Sequence, residues 1–202
     1  MSVQEYGAFS KDGLSYIIHS PRPPRPWINY LTNGDYCSLV SQVGGGFSFY
    51  MDHRHHGVLR RELRQHTDDL PARLWYVQDA DGVYWTANAH FNENPDCYQA
   101  QHDFGKTSIL TESHGIRTKL TWFVSPGING EFCRCSIRNL SDHPRELRLF
   151  SYQEFVLGSF DQDVADEIRS WRGVSAVEGV LLGNTLTADG SYLFFFGNDP
   201  HG

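Results

Sequence analysis

Residues 97–138 read CYQAQHDFGKTSILTESHGIRTKLTWFVSPGINGEFCRCSIR, and this stretch decides the fold. Four apolar-containing runs stand out in it: Cys97 to His102, Thr107 to Glu112, Arg117 to Val124 and Phe132 to Arg138. Each is rich in Thr, Ile, Val, Tyr, Phe or Trp, the residues that fit a pleated, half-buried surface. The separators are turn chemistry: Phe104-Gly105, His114-Gly115, and Pro126-Gly127 followed by Asn129-Gly130. No helical period intervenes. Short strands joined by tight turns at this spacing predict an antiparallel β-sandwich.

The pattern extends in both directions. Upstream, Leu74-Trp75-Tyr76-Val77 and Val83-Tyr84-Trp85-Thr86 flank Asp79-Ala80-Asp81-Gly82, a strong hairpin signal. Downstream, Glu146 to Phe155 reads as one strand, and Val180 to Leu186 and Tyr192 to Phe196 resume the β pattern. Asp163 to Arg169 is a weak candidate for a helical turn. Near the start, Tyr6 to Phe9 and Tyr16 to His19 read as strands around a Lys11-Asp12-Gly13 turn. Pro21, Pro23, Pro24 and Pro26 then forbid ladder pairing and predict an extended arm. Tyr36 to Gln42 and Phe47 to Tyr50 read as strands broken by Gly44-Gly45-Gly46.

Composition narrows the function. The chain has 202 residues, 40% hydrophobic and 20% charged, which suits a packed core. A net charge of -7 and a pI near 5.7 argue against a nucleic-acid partner. No apolar run is long enough to span a bilayer, and the N-terminus lacks a signal pattern, so no membrane is expected as partner. Four cysteines are too few for a disulfide framework in a chain this long, and Cys133 and Cys135 share one face of a strand. Free thiols and a cytoplasmic protein are the expectation. Aromatics make up 14%. They suit a β core and equally suit stacking on the apolar faces of a sugar ring.

Three further features invite chemical readings. The glycines Gly44, Gly45 and Gly46 give access to φ > 0 and remove every Cβ, so a ligand or another chain can approach the backbone. No Lys-Ser/Thr follows and no helix opens there, so a phosphate-cradling loop lacks its parts; a tight bend between strands is the plain alternative. Asp52-His53-Arg54-His55-His56 would put two histidines on one face of a strand, but without a third ligand at zinc-like spacing it reads as a solvated loop or polar rim. Val58 to His66, carrying Arg60, Arg61 and Arg64, reads as a charged surface. Glu154, Asp161, Asp163, Asp166 and Glu167 are the carboxylates to weigh for glycoside chemistry. None has a context marking a raised pKa, and no residue is assigned a catalytic role.

The stretch Pro26 to Tyr50 also carries a family resemblance. Pro26-Trp27-Ile28-Asn29-Tyr30, Ser41-Gln42 and Gly44-Gly45-Gly46-Phe47-Ser48-Phe49-Tyr50 resemble the opening of the inverting disaccharide phosphorylases, the cellobiose and chitobiose phosphorylases of glycoside hydrolase family 94. Tyr6-Gly7-Ala8-Phe9 and Tyr16-Ile17-Ile18 are similar to the family's first strands, and Trp75-Tyr76-Val77 with Tyr84-Trp85 to its next hairpin, where a family proline is absent. Gln101 to Gly105, Asn139 to Asp142 and Phe150 to Phe155 match in order. Past Gly158 the resemblance fades.

The resemblance implies an all-β fold: a large antiparallel β supersandwich of the galactose-mutarotase-like type, truncated at its C-terminal end within residues 1–202. In the family an (α/α)₆ barrel follows and carries the catalytic Asp and most phosphate ligands; that barrel is the missing C-terminal catalytic domain. The parent enzyme would cleave a β-linked glucosaccharide with inorganic phosphate as co-substrate, without a cofactor, giving an α-sugar 1-phosphate. This chain alone would be inactive, supporting the barrel and sharing in a homodimer. The residues expected to face the sugar are Gly44, Gly45, Gly46, Phe47, Ser48, Tyr50, Asp52 and Arg54. A freestanding carbohydrate-binding module and a purely structural or dimerisation domain are the other expectations.

Overall fold

The computed structural model describes residues 5–60, 72–90 and 94–158, with side chains to Glu154. Among them are fourteen strands. β1 (Gly7–Phe9), β2 (Ser15–Ile18), β9 (Cys97–Asp103), β10 (Lys106–Ser113), β11 (Ile116–Val124) and β12 (Glu131–Asn139) form a six-stranded sheet in the order β1-β2-β9-β10-β11-β12. β3 (Ile28–Thr32), β4 (Tyr36–Ser41), β5 (Ser48–Tyr50), β6 (Gly57–Leu59) and β14 (Phe155–Gly158) form a second, ordered β14-β6-β5-β4-β3. β7 (Arg73–Asp79), β8 (Tyr84–Thr86) and β13 (Leu147–Gln153) form a third, ordered β13-β7-β8. Every pairing is antiparallel.

The sequence pattern accounts for the layering. On β11 the inward residues alternate as Ile116, Thr118, Leu120 and Trp122, all buried. Register sets them opposite Ser113, Thr111, Ile109 and Thr107 of β10. The buried threonines are satisfied: Thr111 and Thr118 hydroxyls bond at 2.6 Å, and Thr111 also reaches the Ala87 carbonyl at 3.2 Å. Leu31 of β3 and Val40 of β4 meet this face from the second sheet, and Val77 and Trp85 from the third, in one continuous core. Full burial of a Leu or Ile here contributes about 1.5–3 kcal/mol.

The turns fall where the glycines predict. Gly13, Gly82, Gly105 and Gly115 all take positive φ. Asp79 shapes its hairpin by accepting from the Asp81 and Val83 amides at 3.1 and 3.0 Å. The four cysteines are free thiols. Among the described residues no helix is long and apolar enough to cross a membrane.

Three points differ from the expectation. Ile28–Thr32 and Gly57–Leu59 are strands, recruited by pairing to β4 and β5 rather than by their own alternation. Glu146 to Phe155 is not one strand. It breaks at Glu154, so that β13 pairs with β7 while β14 pairs with β6. The Glu154 amide bonds to the Ala72 carbonyl at 2.8 Å, and its carbonyl accepts from the Arg60 amide at 2.9 Å. The chain thereby changes sheets in a single residue. The expected elements at Asp163 to Arg169, Val180 to Leu186 and Tyr192 to Phe196 lie outside the described residues.

Candidate functional site

The triple-glycine loop is buried. Gly44 and Gly46 adopt φ of 76° and 113°. A Cβ on Gly44 would stand 2.4 Å from Asn88 Nδ2 and 3.1 Å from Trp122; one on Gly46 would stand 2.1 Å from the Leu39 carbonyl oxygen. The close approach that glycine permits is therefore made by the protein's own groups. The loop is the tight bend of the plainer expectation: the Gly44 amide bonds to Ser41 O at 3.0 Å, and the Ser41 amide to Gly45 O at 2.9 Å.

Every carbonyl from Ser41 to Gly45 has a donor. Tyr98 Oη donates to Gln42 O at 2.7 Å, Asn88 Nδ2 to Val43 O at 3.1 Å, and Arg73 Nε to Gly44 O at 3.0 Å. The Ser41 hydroxyl accepts from the Gly45 amide at 2.9 Å. The Gln42 side chain ties the loop to the proline arm, accepting from the Trp27 amide at 2.9 Å and donating to Pro21 O at 3.1 Å. His102 holds the same arm. Its Nε2–H donates to Trp27 O at 2.9 Å, and its Nδ1 accepts from Thr107 Oγ1 at 3.0 Å. Burial lowers the His102 pKa from its usual 6.5, so the neutral ring fits this geometry.

Arg73 is the hub beneath the loop. It is 1% exposed, yet it forms an ion pair with Glu131, whose side chain is 15% exposed. Its Nη1 also meets Ser38 Oγ at 3.2 Å, and its Nη2 donates to the carbonyls of Leu39 and Gly45. Ser38 Oγ in turn donates to Glu131 Oε2 at 2.5 Å. One guanidinium thus joins β4, the glycine loop, β7 and β12. A buried charge is tolerated because its pairing is this complete.

A cavity of about 340 Å³ lies where the three sheets meet. Arg73 and Glu131 wall one side, Tyr50 and Trp75 supply accessible aromatic surface, and the buried Tyr36 and Trp122 bound the rest. Tyr36 Oη donates to Ser48 Oγ at 2.8 Å, and burial pushes the Tyr36 phenol pKa up, with the Glu131 charge adding to the effect. Of the eight residues expected to face sugar, Tyr50 lines the cavity. Gly44, Gly45, Gly46 and Ser48 form the buried support behind it, and Phe47 stacks on Phe49 with centroids 6.1 Å apart.

Asp52 and Arg54 lie on an exposed turn between β5 and β6. Asp52 Oδ1 accepts from the Arg54 amide at 2.8 Å, and Oδ2 meets His55 Nδ1 at 2.6 Å. These two bonds, the backbone amide first, hold the Asp52 carboxyl below its usual range. Residues 53–55 are a turn rather than a strand, so His53 and His55 do not share a strand face. Among the described residues no group of three His, Cys, Asp or Glu is arranged to hold a metal. Glu154 pairs with Arg60 at 3.4 Å and accepts from the Tyr152 hydroxyl. The other carboxylates weighed for catalysis lie outside the described residues.

The sequence reading missed Arg73, Asn88 and Glu131. The available signal was Arg73 itself, a charge set between Ala72 and the apolar run from Leu74, where a solvated residue interrupts nothing. Pairing it with Glu131 requires the three-dimensional fold.

Comparison with known proteins places this architecture. Residues 14–174 match the family model described as "Glycosyl hydrolase 94, supersandwich domain". The match begins after β1 and runs past Gly158. The chain is 31% identical over 163 residues to the N,N'-diacetylchitobiose phosphorylase of Vibrio proteolyticus, covering 79% of this chain and 20% of the relative. It is 30% identical over 167 residues to the 3-O-beta-D-glucopyranosyl-beta-D-glucuronide phosphorylase of Paenibacillus borealis, covering 78% and 20%. It is also 27% identical over 163 residues to the cyclic beta-(1,2)-glucan synthase NdvB of Rhizobium meliloti, covering 76% of this chain and 6% of that protein. The chain thus spans about a fifth of the length of the phosphorylases it matches. The all-antiparallel layered sheets and the extended match together show that this chain belongs to the glycosyl hydrolase 94 supersandwich-domain family.

Proposed function

We propose that this chain is the non-catalytic, carbohydrate-facing part of an inverting glycoside phosphorylase. That enzyme cleaves a β-linked glucosaccharide with inorganic phosphate and releases an α-sugar 1-phosphate. The observation that carries this reading is the match to phosphorylases over the supersandwich domain, at about a fifth of their length. The chemistry then belongs to the barrel that follows in the family, and this part supports it and joins the dimer. The exposed turn with Asp52 and Arg54, and Tyr50 at its root, faces the sugar site of its own or the partner subunit. Their exposure supports this role: Tyr50 is 39% accessible, and the Arg54 amide is already pinned by Asp52.

The synthase relative shows that this domain also accompanies a protein with a different named activity. The test must therefore read products. The polypeptide carrying this domain is incubated with β-linked glucosaccharides, with and without inorganic phosphate, and followed by phosphorus and anomeric-proton NMR. Phosphate-dependent release of an α-sugar 1-phosphate is expected. Phosphate-independent formation of free sugar or longer glucan would overturn the reading.

A further inference from the structure

We propose that the cavity where the three sheets meet is itself a binding site for a single neutral pyranose, formed within this chain by sheet residues rather than by Asp52 and Arg54. The inference goes beyond the phosphorylase reading, because it needs no residue outside the described ones. Three observations carry it.

The first is size. At about 340 Å³ the cavity sits at the lower end of the range of small-ligand pockets, roughly 300–1,000 Å³. It suits one sugar ring and not an oligosaccharide.

The second is the lining. Trp75, half-buried on β7, gives the cavity its accessible indole, while Trp122 and Tyr36, at 1% and 4% exposure, bound it from the other two sheets. Flat aromatic surface and a few fixed polar groups are what a ring with apolar faces and equatorial hydroxyls requires. Glu131 is held in place by Arg73 and Ser38, so its carboxylate is oriented before any ligand arrives. The Gln153 amide brings both a donor and an acceptor from β13.

The third is charge. Arg73, the cation in the cavity wall, is neutralised by Glu131, and its donors are directed to Gly44, Ser38, Leu39 and Gly45. Among the described residues that line the cavity Arg73 is the one cation, and it is committed to Glu131 and these carbonyls, so a phosphate would meet the Glu131 carboxylate. The site therefore selects a neutral polyol over an anion or a phosphorylated sugar.

The test is a tryptophan-fluorescence titration of the 202-residue chain, cross-checked by calorimetry. The probes are D-glucose, N-acetyl-D-glucosamine and inorganic phosphate. Val58→Phe fills the cavity from β6, and Gln153→Ala removes one polar contact. Saturable binding of at least one sugar and none of phosphate is expected. Val58→Phe abolishes that binding with the near-ultraviolet circular dichroism retained, and Gln153→Ala weakens it about 2–10-fold, the value of one hydrogen bond. If Val58→Phe fails to fold, Gln153→Ala decides. Absence of sugar saturation, saturation by phosphate, or unchanged sugar affinity in the folded variants overturns the proposal.

Discussion

The glycine loop at 41–46 and the turn at 50–56 are neighbours in sequence and opposites in construction. In the loop, every carbonyl from Ser41 to Gly45 has a donor, three of them from Tyr98, Asn88 and Arg73. In the turn, the side chains of Asp52, His53, Arg54 and His55 stand in solvent, and the Asp52 carboxylate organises the segment through bonds two and three residues away. The loop joins three sheets, while the turn joins two short strands. A glycine-rich segment is therefore the scaffold here, and a charged segment whose contacts reach only its own strands, as His53 on Phe49 and His56 on Tyr50, is free to serve something other than stability.

Five substitutions test that contrast. The largest effect belongs to Arg73→Met. It strands Glu131 and leaves the carbonyls of Gly44 and Leu39 without their donor, so urea denaturation should show a loss of about 3–5 kcal/mol. A variant as stable as wild type would remove Arg73 from its place as hub.

Next come two glycines of nearly equal φ. Gly13, at 72°, has open space around its would-be Cβ, so Gly13→Ala costs only backbone strain, about 1–2 kcal/mol. Gly44, at 76°, would drive a methyl group into Asn88 and break its bond to Val43 O, so Gly44→Ala adds about 1–3 kcal/mol to that strain. Equal costs would mean that the loop is not packed as described.

The third effect is pH-dependent. The folded pKa of His102 is depressed by burial, so below its usual 6.5 the unfolded chain binds the proton that the native chain refuses. Its contribution is complete above 6.5 and is lost as pH falls from there towards the lowered folded value. His102→Gln should flatten the stability profile across that window, measured by chemical denaturation at a series of pH values. An unchanged profile would place the acid sensitivity elsewhere.

The smallest stability effect is in the turn. The Asp52 side chain is 45% exposed and its bonds stay within the turn, so Asp52→Ala should shift the melting temperature by no more than about 1–2 °C. A clear drop would make the turn part of the scaffold.

The sequence was most legible where structure is local. β9 to β12 are consecutive antiparallel strands, so each pairing is announced by the turn that precedes it. β3 and β6 were hidden because short segments become strands through their partners, one following a proline arm and the other lying among histidines and arginines. The break at Glu154 was hidden for the same reason: the pattern from Glu146 to Phe155 is continuous, and only the two partner strands differ. At the site, the residues from Gly44 to Arg54 drew attention through their composition. That composition could not say which of them faced inward. The answer depends on Arg73, Asn88 and Glu131, which lie 28, 43 and 86 residues beyond Gly45. Long-range polar pairing leaves no local periodicity to read.

On the proposed reading, the exposed turn serves the sugar site while the loop behind it serves the fold. The test is Arg54→Ala in the polypeptide that carries this domain, with melting temperature and sugar KM measured on the same preparation. An unchanged melting temperature and a several-fold rise in KM for the saccharide are expected. A KM equal to wild type would contradict it.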